Sequence, residues 1–245
     1  MSKTAPLCSA FLLVGFVLIV ASNAIAQDEK AEKKTEFYKP VVQTVEGWTI
    51  KLDPKLLSDS RKSKNDLAMK ALANHLQRIT FILPEAKVNE LRKLPIWLEL
   101  SGVGGIAYHP SPRWLEEHGQ DPAMGGHVHV ANADSLLDPK QWAKHPYLMM
   151  HELAHAYHDQ VLGWDDGEII KAFKQAKKAG IYEEVLAHNH RTVEHYALSN
   201  HKEYFAESTE AYLGVNDFYP FVRAELKKHD PRMFDLQRKI WGDIK

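Results

Sequence analysis

Cysteine is nearly missing from this chain. Its single cysteine, Cys8, lies ahead of an N-terminal apolar run, so the rest of the protein has no disulfide and no thiolate metal ligand. An excess of basic charge is also missing. Lys and Arg number 31 against 32 Asp and Glu, a formal net charge of -1, which argues against nucleic acid or an anionic membrane surface as partner. The chain has no internal repeat. It has one apolar run of any length, Ala10 to Ala21, which is short for a membrane span. A glycine-rich stretch, Ser101-Gly102-Val103-Gly104-Gly105, lacks the Lys-Ser/Thr of a phosphate loop, so a turn or bulge is expected there.

The apolar run has the parts of an export signal. Lys3 supplies positive charge before it, and Ala24-Ile25-Ala26 is a small-residue cleavage site after it. Residues 1–26 are read as a signal peptide cut after Ala26, which makes the protein secreted or periplasmic; an uncleaved anchor is the lesser alternative. Once cleaved, it leaves no stable membrane partner. Residues 27–40 are charged, poor in apolar side chains, and read as a linker.

What the chain does have is histidine, 14 residues of it, and one arrangement stands out: His151-Glu152-Leu153-Ala154-His155. Residues four apart on a helix lie about 40° apart around its axis, so His151 and His155 can share one metal ion. Glu152 is about 100° round, beside the ion, where a carboxylate can act as general base on a water. The spacing predicts a helix from about Pro146, with His145 just before it, to Gly163. Met149, Leu153, Ala156, Tyr157 and Val161 would form its apolar stripe. The bland alternative is an amphipathic helix carrying two surface histidines.

A catalytic zinc usually takes three protein ligands. A third histidine in the continuation H-E-x-x-H-x-x-G-x-x-H is excluded, because His158 and Val161 stand at the glycine and histidine positions. The better source is Glu203-Tyr204-Phe205-Ala206-Glu207, on a helix that Asn200 can cap over His201–Leu213. Glu203 and Glu207 are i, i+4: one can bind the metal while the other steadies a ligand histidine. Alternatively they are exposed helix acids, or Glu203 completes a capping box with Asn200.

Around these motifs, Val41–Val45 and Trp48–Leu52 joined by Glu46-Gly47 read as a β-hairpin, and Lys64 to about Ile82 as a helix. Ile96–Leu100 reads as a strand. Gly125 to Asn132 alternates like an edge strand just ahead of the metal helix, with His127 and His129 on one face. Asp138 should cap a short helix, Asp166 another over Glu168–Lys178, Asp217 and Pro220 should open one, and Asp230 a last one. Strands before the site and helices after it define an α+β fold, with a small mixed sheet and a helical C-terminal half. Residues 41–95 are an N-terminal α/β segment of open placement, and 96–245 the candidate catalytic region.

His151–Asp159 (HELAHAYHD) resembles the active-site helix of thermolysin. Together with Glu203–Glu207 and Tyr196, seven residues before Glu203, the chain more closely resembles the catalytic domain of anthrax lethal factor and the Pro-Pro endopeptidases. The resemblance implies a zincin-like fold and a glutamate-liganded zinc metallopeptidase. It implies that His151, His155 and Glu203 bind Zn2+, that Glu152 is the general base, that Tyr196 stabilises the oxyanion, and that Glu207 orients His151. Gly126, His127, Val128 and His129 would then line the strand that receives an extended peptide or protein substrate. A non-catalytic module that binds zinc or peptide on the same fold is the alternative.

Overall fold

The computed structural model describes residues 36–102 and 104–244. The expected signal and the linker up to residue 35 lie outside them. The described part opens with the hairpin of β1 (Val41–Val45) and β2 (Trp48–Leu52). Its two-residue turn has positive φ at both Glu46 (50°) and Gly47 (90°), the backbone that matches the right-handed twist of a hairpin. Next come α1 (Lys62–Ile82) and α2 (Glu85–Leu91), then β3 (Ile96–Leu98) and β4 (Ile106–His109). Ser101, Gly102, Gly104 and Gly105, between β3 and β4, belong to no helix or strand. Beyond it are α3 (Pro112–Glu117), β5 (His127–Val130), α4 (Pro139–Lys144) and α5 (Leu148–Tyr157). The C-terminal half holds α6 (Gly167–Ala179), the small hairpin β6 (Val185–Leu186) and β7 (Thr192–Val193), α7 (His201–Leu213), α8 (Arg223–His229) and α9 (Pro231–Trp241). Among the described residues no helix is long and apolar enough to cross a membrane.

Five strands form one mixed sheet in the order β1-β2-β3-β5-β4. β2, β3 and β5 run parallel, while β1 and β4 are antiparallel to their neighbours. The parallel step from β2 to β3 needs a long crossover, which α1 and α2 supply. Residues 41–95 therefore build the outer half of the sheet that begins the candidate catalytic region. The fold is α+β, as the order of elements predicts.

One face of the sheet carries the core. Ile50, Leu52, Ile96, Leu98, Val128 and Val130 are buried against Leu72 and Leu76 of α1, Leu153 and Tyr157 of α5, and Phe205 of α7. Burying each such side chain contributes about 1.5–3 kcal/mol before entropy is counted. The other face carries a smaller cluster of Trp97, Leu115 and Met124. β5 is thus buried on both sides, and its alternation sorts valines from histidines rather than core from solvent.

Four expectations change. β5 is not the edge strand: it pairs with β3 on one side and β4 on the other, and β4 forms the edge. The metal helix starts two residues later than Pro146, at Leu148, because His145–Tyr147 form a turn whose Pro146 carbonyl accepts a hydrogen bond from Arg78. Residues His158–Leu162 continue as π-helix, which adds residues per turn and rotates the stripe, so Val161 comes out to solvent. Asp217 opens no helix either. Its carbonyl accepts from His188 N–H, Phe218 bridges Ala187, and α8 begins only at Arg223.

Candidate metal centre

α5 and α7 pack against each other at the centre of the molecule, and both are almost wholly buried. α7 is fixed at its start by Asn200, whose side-chain oxygen accepts from the Lys202 and Glu203 N–H groups. That cap sets the first turn of α7, which carries Glu203, over the face of α5 that presents His151 and His155. The sequence pair and the distant carboxylate are brought together: His151 Nε2 to His155 Nε2 is 3.0 Å, and each lies 3.2 Å from Glu203 Oε2.

This near-equilateral triangle tests the fit of a zinc ion. Donor atoms about 2.0–2.1 Å from a tetrahedral zinc are about 3.3 Å from one another. The three atoms come close to that spacing, and the donor set of two imidazoles and one carboxylate is one that zinc accepts. A second set of donors, His145, His151 and Glu210, also comes together. Its contacts of 2.6–2.7 Å are hydrogen-bond lengths, and it uses the other nitrogen of His151.

That second contact decides the tautomer of His151. Nδ1 donates to Glu210 Oε1 at 2.7 Å, leaving the Nε2 lone pair for the triangle. Glu210 is held in turn by His145 Nε2, which straddles both its oxygens at 2.6 and 2.7 Å. Glu207, the residue expected in this role, is 3.8 Å from His151 Nδ1, beyond hydrogen-bonding distance. Three acids at i, i+4 and i+7 thus face α5 from one helix, and it is the outermost two that touch the histidines. Burial pushes the Glu207 carboxyl well up, with the charges of Glu210 and Asp217 adding to the effect. Glu203 moves the other way: burial would raise it, but contact with His151 and His155 outweighs burial and holds it far below the usual range. Burial would lower His151, but its hydrogen bonds to Glu203 and Glu210 outweigh burial and raise it. A metal bound at the triangle therefore displaces protons as it binds.

Glu152 lines the same cavity, of about 540 Å³. Its Oε2 accepts a 2.8 Å hydrogen bond from the Tyr108 N–H of β4. Gly105 and His109 turn their carbonyls to β5, so by alternation Ile106 and Tyr108 present theirs to the free edge, along the cavity wall. The edge is pinned to α5 by the π-helical segment. Tyr108 hydroxyl donates to Asp159 at 2.6 Å, and Gln160 Nε2 donates to Tyr108 Oη and to the Gly126 carbonyl.

Tyr196 also lines the cavity, half exposed, on a 3-10 turn of residues 196–198. His195 fixes this turn by accepting from Ala197 N–H. The negative charge of Glu203 and then burial raise the Tyr196 phenol above its ordinary value, so it stays a donor. His127 and His129 are not at the site. They project from the far face of the sheet, where His127 packs edge-on to Trp97 and His129 bonds Glu99 at 2.8 Å. Val128 lies on the interior strand with them, and Gly126, just before it, has its N–H bonded to His109 and its carbonyl to Gln160, so neither is free to pair with an incoming chain.

Sequence reasoning missed Glu210, His145, Tyr108, Lys144 and Asp217. Only Glu210 left a signal, as the next acid on the face of Glu203 and Glu207; the others are assembled by tertiary packing.

No known protein family matches the chain by its sequence pattern, and no curated protein matches it in sequence. Among solved structures it is similar to the PRO-PRO endopeptidase from Paenibacillus alvei, at 19% identity and a TM-score of 0.44, over 81% of this chain and 99% of that one.

Proposed function

We propose that this protein is an exported zinc metallopeptidase that hydrolyses peptide bonds. The observation that carries the reading is the triangle of His151, His155 and Glu203 with Glu152 beside it, free of any metal-ligand role. Bound zinc supplies Lewis acidity, which eases deprotonation of a water and polarises the scissile carbonyl. Glu152 takes the proton of the attacking water and returns it to the leaving amine. Its bond from Tyr108 N–H keeps one oxygen fixed and leaves the other for that work. Tyr196 donates from its hydroxyl to the developing oxyanion. Glu210 holds His151 in the required tautomer, and an extended substrate pairs with the outward carbonyls of Ile106 and Tyr108 on β4.

The test is direct. Purified protein from residue 27 onward is expected to hold about one zinc per chain and to cut a random peptide library. Less than about half a zinc after gentle purification, or no cleavage by the zinc-loaded protein, overturns the reading.

A further inference from the structure

The cavity does not end at the metal triangle. It runs on past the N-terminal end of α5 to a wall made by Lys144, Leu148, Glu207, Asp217 and Phe218. Two carboxyl groups stand there, each only 2% exposed. Each has one oxygen without a hydrogen-bond partner, Glu207 Oε2 and Asp217 Oδ1. Buried acceptors of this kind are costly unless something donates to them. Neither residue belongs to a set of donors spaced for a metal ion, so the missing partner is larger and less demanding in geometry than a divalent cation.

The local basic side chains do not fill the need. His145 is engaged with Glu210. Lys144 reaches Asp217 Oδ2 at 3.3 Å from a side chain 51% exposed, a long contact at the solvent edge of the kind that contributes little. Leu148 and Phe218 offer apolar surface of the kind that the aliphatic stem of a long basic side chain covers.

We propose that this end of the cleft takes a positively charged group of the substrate, an ammonium or guanidinium close to the scissile bond, with Asp217 and Glu207 as its acceptors. The proposal rests on the peptidase reading above and names the substrate class of that site. The charge comes from a Lys or Arg side chain or from a free N-terminus, and the chemistry of the pocket is the same for both. Asp217 binds through a charge-assisted hydrogen bond, and a carboxyl oxygen of Glu207 adds a second, weaker acceptor beside His151.

Matched peptides carrying Lys, Arg, citrulline, norleucine or Glu at one position near the cut, each with free and acetylated N-terminus, test this on the zinc-loaded protein. The readouts are kcat/KM and, on the zinc-loaded Glu152→Gln protein, binding by fluorescence anisotropy. At one position Lys and Arg are expected to exceed citrulline and norleucine by about tenfold or more in both readouts. In Asp217→Asn that ratio is expected to fall to about twofold or less. A preference that follows the free N-terminus instead supports the same pocket with the terminal ammonium as its occupant. Cleavage with a flat profile, or one favouring Glu, overturns the proposal and leaves the peptidase standing. Failure to cut or bind any peptide overturns both. The citrulline comparison uses the unaltered pocket, so it decides the question even if Asp217→Asn does not fold.

Discussion

Glu210 Oε1 lies 2.7 Å from His151 Nδ1, seven residues beyond Glu203 on the same helix. One straight stretch of α7 therefore supplies a carboxylate to each nitrogen of one imidazole, Glu203 to Nε2 and Glu210 to Nδ1. The pairing removes the choice of tautomer from His151 and prevents its ring from turning.

Glu210→Gln keeps the shape but removes the charge that makes His151 a better donor to a metal. Zinc affinity is expected to fall by about 10–100-fold, the loss usual for such an outer partner. Glu207→Gln, 3.8 Å from the same nitrogen, is expected to change affinity by much less. Competition with a chromophoric chelator measures both. Equal losses in the two variants would mean that Glu210 has no special hold on His151.

Glu152 and Tyr196 separate by what each loses. Glu152→Gln is expected to retain zinc and lose about 10²–10⁴ in kcat, since proton transfer is its part. Tyr196→Phe is expected to retain zinc and fold, with about a 10²-fold loss in kcat and little change in KM. Metal analysis alongside steady-state kinetics reads both. A Tyr196→Phe enzyme with kcat intact would remove the phenol from the chemistry.

The free edge of β4 predicts a pattern along the substrate backbone. The outward carbonyls are those of Ile106 and Tyr108, two residues apart, so the amides of a bound peptide should matter alternately. N-methylation scanned along a good substrate is expected to raise KM at alternate positions by about tenfold and to be tolerated between them. A uniform response along the peptide would show that binding does not proceed by strand addition.

Much of this arrangement was legible in the chain because it is local. The hairpin turn at Glu46-Gly47, the caps at Asp138, Asp166, Asn200 and Asp230, and the stop at Gly180 are each decided within a few residues, and the elements form where those signals stand. The i, i+4 spacing that aligns His151 with His155 is of the same kind. What was lost is what depends on strand order. Gly126–Ala131 alternates as an edge strand does, yet β5 lies between β3 and β4 with its histidines against Trp97 and Glu99 instead of water. Nothing local distinguishes a half-solvated strand from one whose second face meets a small aromatic cluster. Likewise the choice of Glu210 over Glu207 turns on how α7 is rotated against α5, which packing decides.

His158 gives the last prediction. Its side chain is fully buried among Trp164, His201 and Phe205, and neither ring nitrogen has a hydrogen-bond partner. Burial, followed by the nearby His201 and His155 and by Lys202, pushes it down to about 3, and Asp166 offsets only part of this. A histidine depressed in the folded state binds its proton first in the unfolded chain. Its contribution is therefore whole above about pH 6.5 and is lost as pH falls from there towards 3, at about 1.4 kcal/mol per pH unit. His158→Phe puts a ring that cannot be protonated into the same aromatic cage. Stability at pH 7 is expected to stay within about 1.5 kcal/mol of the parent, and the slope between pH 6 and 4 to be shallower by about 1.4 kcal/mol per unit. Urea unfolding of both proteins over that range, with chelator present so that metal binding does not enter the slope, makes the comparison. Parallel slopes would mean that His158 takes up its proton in the folded protein, and that the cage is open to water.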